Sequence, residues 1–234
     1  MFSSSSLTVV LAAYNEEEGI VPTICELKAV LHQPNLLVVD GNSTDRTFVR
    51  AKDLGAEVLI QNGTGKGDAM SQGLACLNRD TQYVVFTDAD YTYPAKHIKE
   101  MVSVLDLNPE VGMVLGNRFS EVYEHKSDRN QFYVGNLILG FVQRVFNGVN
   151  LSDPYTGLRT IRFSLLKGWN PKSSGFDIEA EMNRHIERMG YKIAEVPIQY
   201  RRRLGKKKLG FRHGLKILRR IIIEHLSDAS TNVF

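Results

Sequence analysis

The sequence predicts an α/β fold: a mixed, mainly parallel sheet flanked by helices, with an amphipathic helix at the C-terminal end. Three observations carry that expectation. Short apolar runs alternate with segments of helical character four times within the first half of the chain, the pattern of strands joined by right-handed crossovers. The runs are nearly continuous in Val, Leu, Ile and aromatic residues, which suits strands covered on both faces. The composition, 43% hydrophobic and 24% charged over 234 residues, is that of a globular chain long enough for one large domain.

In chain order, Leu7 to Ala13 reads as the first strand. A helix follows, with Glu16, Glu17 and Glu18 in its first turn, where the helix dipole favours acids, and it ends near Leu31 before Pro34. Leu36 to Asp40 is the second strand, and Gly41-Asn-Ser-Thr-Asp45 turns into a second helix ending near Gly55. Glu57 to Ile60 is the third strand. Gly63-Thr-Gly-Lys66-Gly-Asp68 opens a helix through Leu77; it is not a Walker loop, because the spacing differs and no Ser or Thr follows the lysine. It can still offer backbone N–H groups and one cation to an anion.

Val84-Val-Phe-Thr-Asp88-Ala-Asp90 is the fourth strand, and it ends in two acids. Ligands of open α/β sheets bind at the carboxyl ends of strands. Two carboxylates there call for a cation, and hard oxygen donors favour Mg²⁺ or Mn²⁺ with substrate phosphates completing the shell. A capping Asp in an ordinary loop is the plainer alternative. Pro94 opens the next helix, and Val111 to Leu115 is the fifth strand, ending in Gly116-Asn-Arg118. No G-x-G-x-x-G follows the first strand, which excludes a dinucleotide-binding unit.

The second half differs. Asn130 to Gln143 carries no charge and several large apolar residues, as in a buried helix or one lying at a membrane interface. Asp153-Pro-Tyr-Thr-Gly157 is a polar loop before a short strand, 158–161. Ile178, Met182, Ile186 and Met189 mark a helix, and 191–200 a strand whose Pro197 suits an edge. Residues 201–220 hold ten Lys or Arg and no acid, against 19 basic and 26 acidic residues elsewhere. Such a block points to a polyanionic partner. Phe211, Leu215, Leu218, Ile222 and Leu226 form a stripe widened by Ile217 and Ile221, with Arg212, Lys216, Arg219 and Arg220 opposite. A basic amphipathic helix of this kind suits an anionic membrane surface, or packs its stripe on its own domain. Nucleic acid is disfavoured, since the segment lacks interleaved aromatics. Cys25 and Cys76 have no metal spacing and read as small buried groups in a reducing compartment. No run approaches the roughly 20 apolar residues of a membrane span, and residues 1–13 lack the basic start of a signal peptide. A cytoplasmic protein, peripheral on the cytoplasmic face of a membrane, is therefore expected.

Ala12-Ala-Tyr-Asn-Glu16, Val38-Val-Asp-Gly-Asn-Ser-Thr-Asp45, Gly65-Lys-Gly67, Asp88-Ala-Asp90, Gly116-Asn-Arg118, Asp153-Pro-Tyr-Thr-Gly157 and Glu195-Val-Pro197 occur in the order seen in family 2 glycosyltransferases of GT-A (Rossmann-like) fold. The chain most resembles their dolichol-phosphate mannose/glucose synthase branch, over nearly its whole length. The resemblance implies a catalytic domain over 1–200, with a nucleotide-sugar half (1–118) and an acceptor half (119–200), and a basic membrane-surface tail over 201–234. It places Ala12, Tyr14, Glu16, Val39, Asp40 and Gly41 at the nucleoside, and Lys66, Asp88, Ala89, Asp90 and Arg118 at the diphosphate. Asp88 and Asp90 would hold Mg²⁺ or Mn²⁺, and Asp153 would lie near the sugar as a third catalytic residue. Arg129, Arg202, Arg203 and Lys208 would hold the acceptor's phosphate. Three positions depart from the pattern: Gly41 follows Asp40 where many relatives have a second acid, Thr92 stands where mannose synthases often have glutamine, and Lys207 replaces a serine.

The implied reaction is inverting transfer of one hexose from a nucleoside-diphosphate sugar, GDP-mannose or a UDP-sugar, to dolichyl or another polyprenyl phosphate. Two rivals stay open: transfer to a hydroxyl acceptor, which needs a carboxylate base, and a non-catalytic nucleotide-sugar-binding protein. A sugar-phosphate nucleotidyltransferase would need a glycine-rich loop where Tyr14-Asn15-Glu16 stands. The sugar, the base and the oligomeric state are not read from the sequence.

Overall fold

The computed structural model of the chain describes residues 7–32, 34–120, 131–208 and 210–231, with the side chains of 131, 132, 211 and 228–231 outside that description. The elements run β1 (Leu7–Ala13), α1 (Glu17–Leu31), β2 (Asn35–Asp40), α2 (Thr47–Asp53), β3 (Glu57–Ile60), α3 (Lys66–Ala75), β4 (Tyr83–Asp88), α4 (Lys96–Leu107), β5 (Val111–Asn117), α5 (Gln131–Asn147), β6 (Arg159–Arg162), α6 (Ile178–Arg188), β7 (Lys192–Pro197) and α7 (Phe211–Thr231). One sheet contains all seven strands in the order β3-β2-β1-β4-β6-β5-β7. β6 runs antiparallel to β4 and β5, and every other pair is parallel. β7 is the edge strand, so Pro197 costs the sheet no central hydrogen bond.

The period of two along each strand divides the interior into two cores. Leu7, Val9 and Leu11 pack with Ile20, Ile24 and Leu27 of α1 and Ile98, Met101 and Leu105 of α4. Val10, Val39, Val84 and Phe86 face the other way, onto Met70 and Leu74 of α3 and Ile178, Met182 and Ile186 of α6. Met189, expected on the same stripe, is exposed: α6 stops at Arg188 and the chain turns at Gly190, whose φ is +81°. Cys25 and Cys76 are both exposed rather than buried; Cys25 follows the inward Ile24 of α1, and Cys76 caps α3 beyond its last turn. Arg159 is fully buried, yet its guanidinium is satisfied by the carbonyls of Thr156 (3.0 Å) and Pro154 (2.7 Å) and by Asn183 Oδ1 (2.8 Å). It ties the loop before β6 to α6.

A third cluster joins Ala180 of α6 and Leu139 and Val142 of α5 to Ile217 and Ile221 of α7. The stripe read from the sequence faces the other way: Leu215, Ile222 and Leu226 are exposed. Charge explains the choice of face. Arg220 and Glu224 lie on the same side as Ile217 and Ile221, and there they meet α6. Arg220 Nε stands 3.6 Å from Asp177 and 3.7 Å from Glu181, while Glu224 pairs with Arg188 at 2.6 Å. Arg220 is thus an inward residue, not part of the outer basic face. The chain from 201 onward is not detached, because α7 packs on α5 and α6.

Loops after β1 and β2 are stitched together by Asp45. Its carboxylate accepts the N–H of Thr47 at 2.9 Å and the N–H of Glu17, in the first turn of α1, at 3.1 Å. Burial alone would raise the Asp45 carboxyl, but the hydrogen bond from the Thr47 hydroxyl, together with these two N–H groups, outweighs it and holds it below its ordinary value. A depressed folded-state pKa contributes stability above the unfolded value of about 3.9 and loses it as pH falls. Asp45→Ala is expected to lower the unfolding free energy by about 1 kcal/mol at pH 7, with the gap to wild type narrowing below roughly pH 4. Urea unfolding at both pH values measures this, and coincident curves at pH 7 would contradict it.

Candidate active site

The carboxyl ends of β1, β2 and β4 open onto one crevice. Gly41 N–H donates to Ala13 O at 2.8 Å, continuing the strand pairing past the sheet. Asn15, at φ +49°, donates its N–H to Ser43 Oγ (2.9 Å) and accepts the Thr44 N–H (2.8 Å). Glu16 N–H reaches Thr47 Oγ1 at 2.8 Å. Tyr14 stands exposed at the mouth. Asp40 is buried, and its Oδ2 accepts the Ser43 N–H at 2.9 Å. The side chains of Val39 and Ala89 are in the cores, so either could meet a ligand only through its backbone.

Asp88 ends β4 with its carboxylate partly exposed, whereas Asp90 is 2% exposed. Thr92 caps Asp90: its N–H and Oγ1 donate to Oδ1 at 3.1 and 2.6 Å. Thr92, itself buried, therefore serves the carboxylate rather than facing a ligand. The turn is also gripped from below by α1. A Cβ at Gly19 would lie 2.6 Å from Ala89 O and from Asp90 Cα, so this helix start must be glycine to lie so close.

Lys66 lies between two acids, Asp88 Oδ1 at 2.8 Å and Glu179 Oε1 at 2.9 Å. Burial alone would lower its pKa, but the two carboxylates outweigh this and hold the ammonium above its ordinary value. The glycines around it answer to packing rather than to an anion: Cβ atoms at Gly65 and Gly67 would fall 2.3 Å from Ser174 O and 2.4 Å from Ser173 O. Ser174 O also takes the Asp68 N–H at 3.1 Å. Glu179 was not singled out by the sequence; its only signal was the acidic start of a helix, which the dipole explains equally well.

Asp153 does not lie open to a sugar. It is fully buried and accepts four hydrogen bonds: Arg118 N at 2.9 Å, Arg118 Nε and NH2 at 2.7 Å each, and Asn136 Nδ2 at 3.0 Å. A carboxylate with its lone pairs so engaged anchors Arg118 instead of taking a proton. Glu195 in turn fixes this loop by accepting the N–H groups of Ser152 (2.9 Å) and Asp153 (2.7 Å).

The basic segment after β7 folds back over the crevice. Arg203 NH1 meets Asp90 Oδ2 at 2.7 Å, and Arg203 NH2 pairs with Glu16. Lys208 Nζ pairs with the same Glu16 oxygen and donates to Asn15 O at 3.0 Å. Arg201 anchors the segment by two bonds to Glu26, at 2.5 and 2.8 Å. Arg202 is exposed, and Arg129 lies outside the described residues.

Burial and the neighbouring Asp88 charge raise the Asp90 carboxyl, while Lys66 brings Asp88 below its ordinary value against the effect of burial. Glu16 is raised by burial despite Lys208 and Arg203. Glu16 Oε2, Asp40 Oδ1 and Arg203 Nε are all buried and have no hydrogen-bond partner among the described residues. Asp88 and Asp90, one residue apart at the end of β4, offer hard carboxylate oxygens of the kind a divalent cation takes. Among the described residues no group of three or more His, Cys, Asp or Glu surrounds a single point, so a cation there would take the rest of its shell from ligand or water.

Comparison with known proteins agrees with this geometry. A family profile described as "Glycosyl transferase family 2" matches residues 8–169. The chain is similar to the dolichyl-phosphate hexose transferase of Haloferax volcanii, 32% identical over 211 residues that make up 89% of this chain and 88% of that protein. It is also similar to glycosyltransferase AglJ of the same organism, 30% identical over 200 residues, 86% of this chain and 64% of that one. Among solved structures, glucosyl-3-phosphoglycerate synthase from Mycobacterium tuberculosis, determined with Mn²⁺, UDP and glucosyl-3-phosphoglycerate, matches with a TM-score of 0.75 and 23% identity, covering 95% of this chain and 79% of that chain. That likeness establishes the fold, the GT-A arrangement expected from the sequence. The family profile spans most of the chain, which belongs to glycosyl transferase family 2.

Proposed function

We propose that the protein transfers one hexose from a nucleoside-diphosphate sugar to a polyprenyl phosphate such as dolichyl phosphate, with inversion at the sugar carbon. The observation that carries this reading is the meeting of Asp90 and Glu16 with Arg203 and Lys208 beside Asp88 at the strand ends. It is a place for two phosphate-bearing ligands rather than one. The dolichyl-phosphate hexose transferase similar to this chain supports the acceptor class, and the solved synthases that carry UDP and Mn²⁺ support the donor class.

In this reading, the nucleoside lies across the ends of β1 and β2, where Asp40 Oδ1 stands ready to accept a base N–H. Asp88 and Asp90 would hold Mg²⁺ or Mn²⁺, which neutralises charge on a leaving diphosphate when bound. Lys66 keeps Asp88 ionised for that purpose. Arg203 and Lys208 hold the acceptor's phosphate beside the sugar, offsetting the repulsion between two anions. An acceptor oxygen then bonds to the anomeric carbon as the bond to the diphosphate breaks, and the nucleoside diphosphate leaves with the electron pair. A phosphate acceptor is already ionised near neutral pH, so no proton needs to be taken. That agrees with Asp153, which is buried and fully bonded and can supply no base.

Two helices give the lipid a surface. On α5, Val134, Leu137, Ile138, Phe141 and Val145 recur at helical spacing and are exposed, Phe141 by 67%. On α7, Leu215, Ile222 and Leu226 are exposed as well, beside the exposed Arg212, Lys216 and Arg219. The two helices pack together, and in this reading their exposed apolar residues meet the lipid with the basic residues of α7 at its headgroups. No helix among the described residues is long and apolar enough to cross a membrane. Peripheral binding to an anionic bilayer, on its cytoplasmic side, is the corresponding localisation.

A donor panel against a polyprenyl phosphate in vesicles, with Mg²⁺ or Mn²⁺, tests the function. The expected product is the inverted prenyl-phosphate hexose; transfer to hydroxyl acceptors alone, or donor binding without turnover, would overturn it. Asp90→Ala is expected to reduce transfer at least about a hundredfold. Lys66→Met leaves the buried Glu179 and the partly exposed Asp88 without their cation, and should cost about 3 kcal/mol of stability; adding Glu179→Gln should recover part of that in a urea double-mutant cycle. Phe141→Glu with Ile138→Glu should abolish co-sedimentation with anionic vesicles while leaving the unfolding transition in place.

A further inference from the structure

We infer that Tyr93 and Gly157 are positioning residues for Asp88: the Tyr93 hydroxyl holds the Gly157 amide, and Gly157 fixes the direction in which the Asp88 carboxylate meets its ligand. The inference rests on the proposed function, which puts Asp88 at the cation and the diphosphate, and adds to it two residues that need not touch the ligand themselves.

A carboxylate at the end of a strand needs such support. The second side-chain torsion of an aspartate is broad, so one direction is kept only where neighbours impose it. Lys66 Nζ is one neighbour, 2.8 Å from Asp88 Oδ1. Gly157 is the other. A Cβ there would lie 2.6 Å from Asp88 Oδ2, 2.9 Å from Cγ and 3.0 Å from Oδ1, so the glycine lies flat against the whole carboxylate. Gly157 does not adopt a left-handed backbone. The contact with Asp88, rather than backbone strain, therefore asks for a residue without a side chain. The Asp88 side chain stays 30% exposed, which leaves one side open to a ligand.

Tyr93 keeps Gly157 in that place. It is buried, three residues beyond Asp90, and its hydroxyl oxygen accepts the Gly157 N–H at 2.7 Å. Thr156 Oγ1 stands 3.5 Å from the same oxygen. The bond crosses from the turn that bears the two acids to the loop that precedes β6. Gly157 is buried too, so loss of the hydroxyl would leave its amide without an acceptor.

The same loop carries Asp153, which holds the backbone and the guanidinium of Arg118. Tyr93 also meets the Tyr200 ring edge to face at 5.2 Å, and the Arg118 guanidinium stands 5.5 Å from the centre of that ring. One phenol thus pins the loop that spaces Asp88 from Arg118, the two charges expected at the diphosphate. Charges set in place before the ligand arrives cost no reorganisation during the reaction. Another side chain of the loop faces away from the acids: Tyr155 donates its hydroxyl to Leu139 O of α5 at 3.0 Å and packs beside Val142.

Titration of the full chain with Mn²⁺ alone, followed by the paramagnetic resonance of the free ion, reads Asp88 without turnover. Tyr93→Phe should weaken Mn²⁺ binding at least about fivefold, and Gly157→Ala at least about tenfold, since its Cβ displaces the carboxylate. Tyr155→Phe loses a bond of the same kind from the same loop. It should lower the urea midpoint as Tyr93→Phe does and bind Mn²⁺ as wild type does. In transfer assays Tyr93→Phe should lower kcat and leave KM for the polyprenyl phosphate unchanged. Wild-type Mn²⁺ affinity in Tyr93→Phe would overturn the inference, and so would an equal loss in Tyr155→Phe, which would mark a general loosening of the loop. Should Gly157→Ala not fold, the nearly isosteric Tyr93→Phe decides alone. Wild type that binds no Mn²⁺ would remove this inference together with the metal part of the proposed function. Weakened Mn²⁺ binding in the two variants, in a chain that transfers no hexose, would leave the positioning role standing and condemn the function alone.

Discussion

Two buried cation–carboxylate contacts, Lys66 on Asp88 and Arg203 on Asp90, hold the crevice in the shape described above. Without them two acids one residue apart, one of them almost fully buried, would have to stay protonated or draw the loop toward water. Each contact recruits a distant element. Lys66 fixes the start of α3 and, through Glu179, the start of α6. Arg203 fixes the segment after the edge strand. The glycines at 19, 65 and 67 let their elements lie directly on the backbone of the Ala89–Asp90 turn and of Ser173 and Ser174, where a Cβ would not fit.

The same logic governs the second half. Asp153 was singled out by the sequence as a catalytic residue, yet its bonds tie Arg118 and Asn136 together and its surface is closed. Glu195 acts one step behind it by holding the loop's N–H groups. A chain of such partners makes Arg118 a rigid feature of the crevice wall, since a guanidinium locked in a fork has little rotamer freedom to lose.

Much of the architecture was legible in the sequence. Continuous apolar runs marked the strands to within about two residues, and acids, Pro94 and Pro34 marked helix limits. The insertion of β6 between β4 and β5 was not legible, because a four-residue apolar run does not reveal its partner or direction. The acids of the crevice were legible from their position at strand ends. Their partners were not: Glu179, Glu26 and the pairing of Arg203 with Glu16 depend on elements far apart in the chain. The stripe of α7 had the right period, but the part of it that packs was not legible: Ile217 and Ile221 turn inward where Arg220 and Glu224 meet α6, while Leu215, Ile222 and Leu226 stay exposed. Cys25 and Cys76 failed for a related reason, as a small residue between larger ones carries no periodic signal of its own.

The span between Arg203 and Glu16 is 187 residues along the chain. During synthesis the amino-terminal strands can pair as they emerge, since β1, β2 and β3 are neighbours in both sequence and sheet. β4 joins β1 soon after, so the two acids are placed early. Lys66, the partner of Asp88, precedes the acids in the chain, whereas Arg203, the partner of Asp90, is made more than a hundred residues after them. Until that segment is made, Asp90 and Glu16 lack their cation. The long loop this closes adds contact order to an otherwise local topology. The closure of the crevice is therefore tied to synthesis past residue 208: a chain truncated before residue 203 keeps its sheet-forming segments and lacks the charges that meet Asp90 and Glu16.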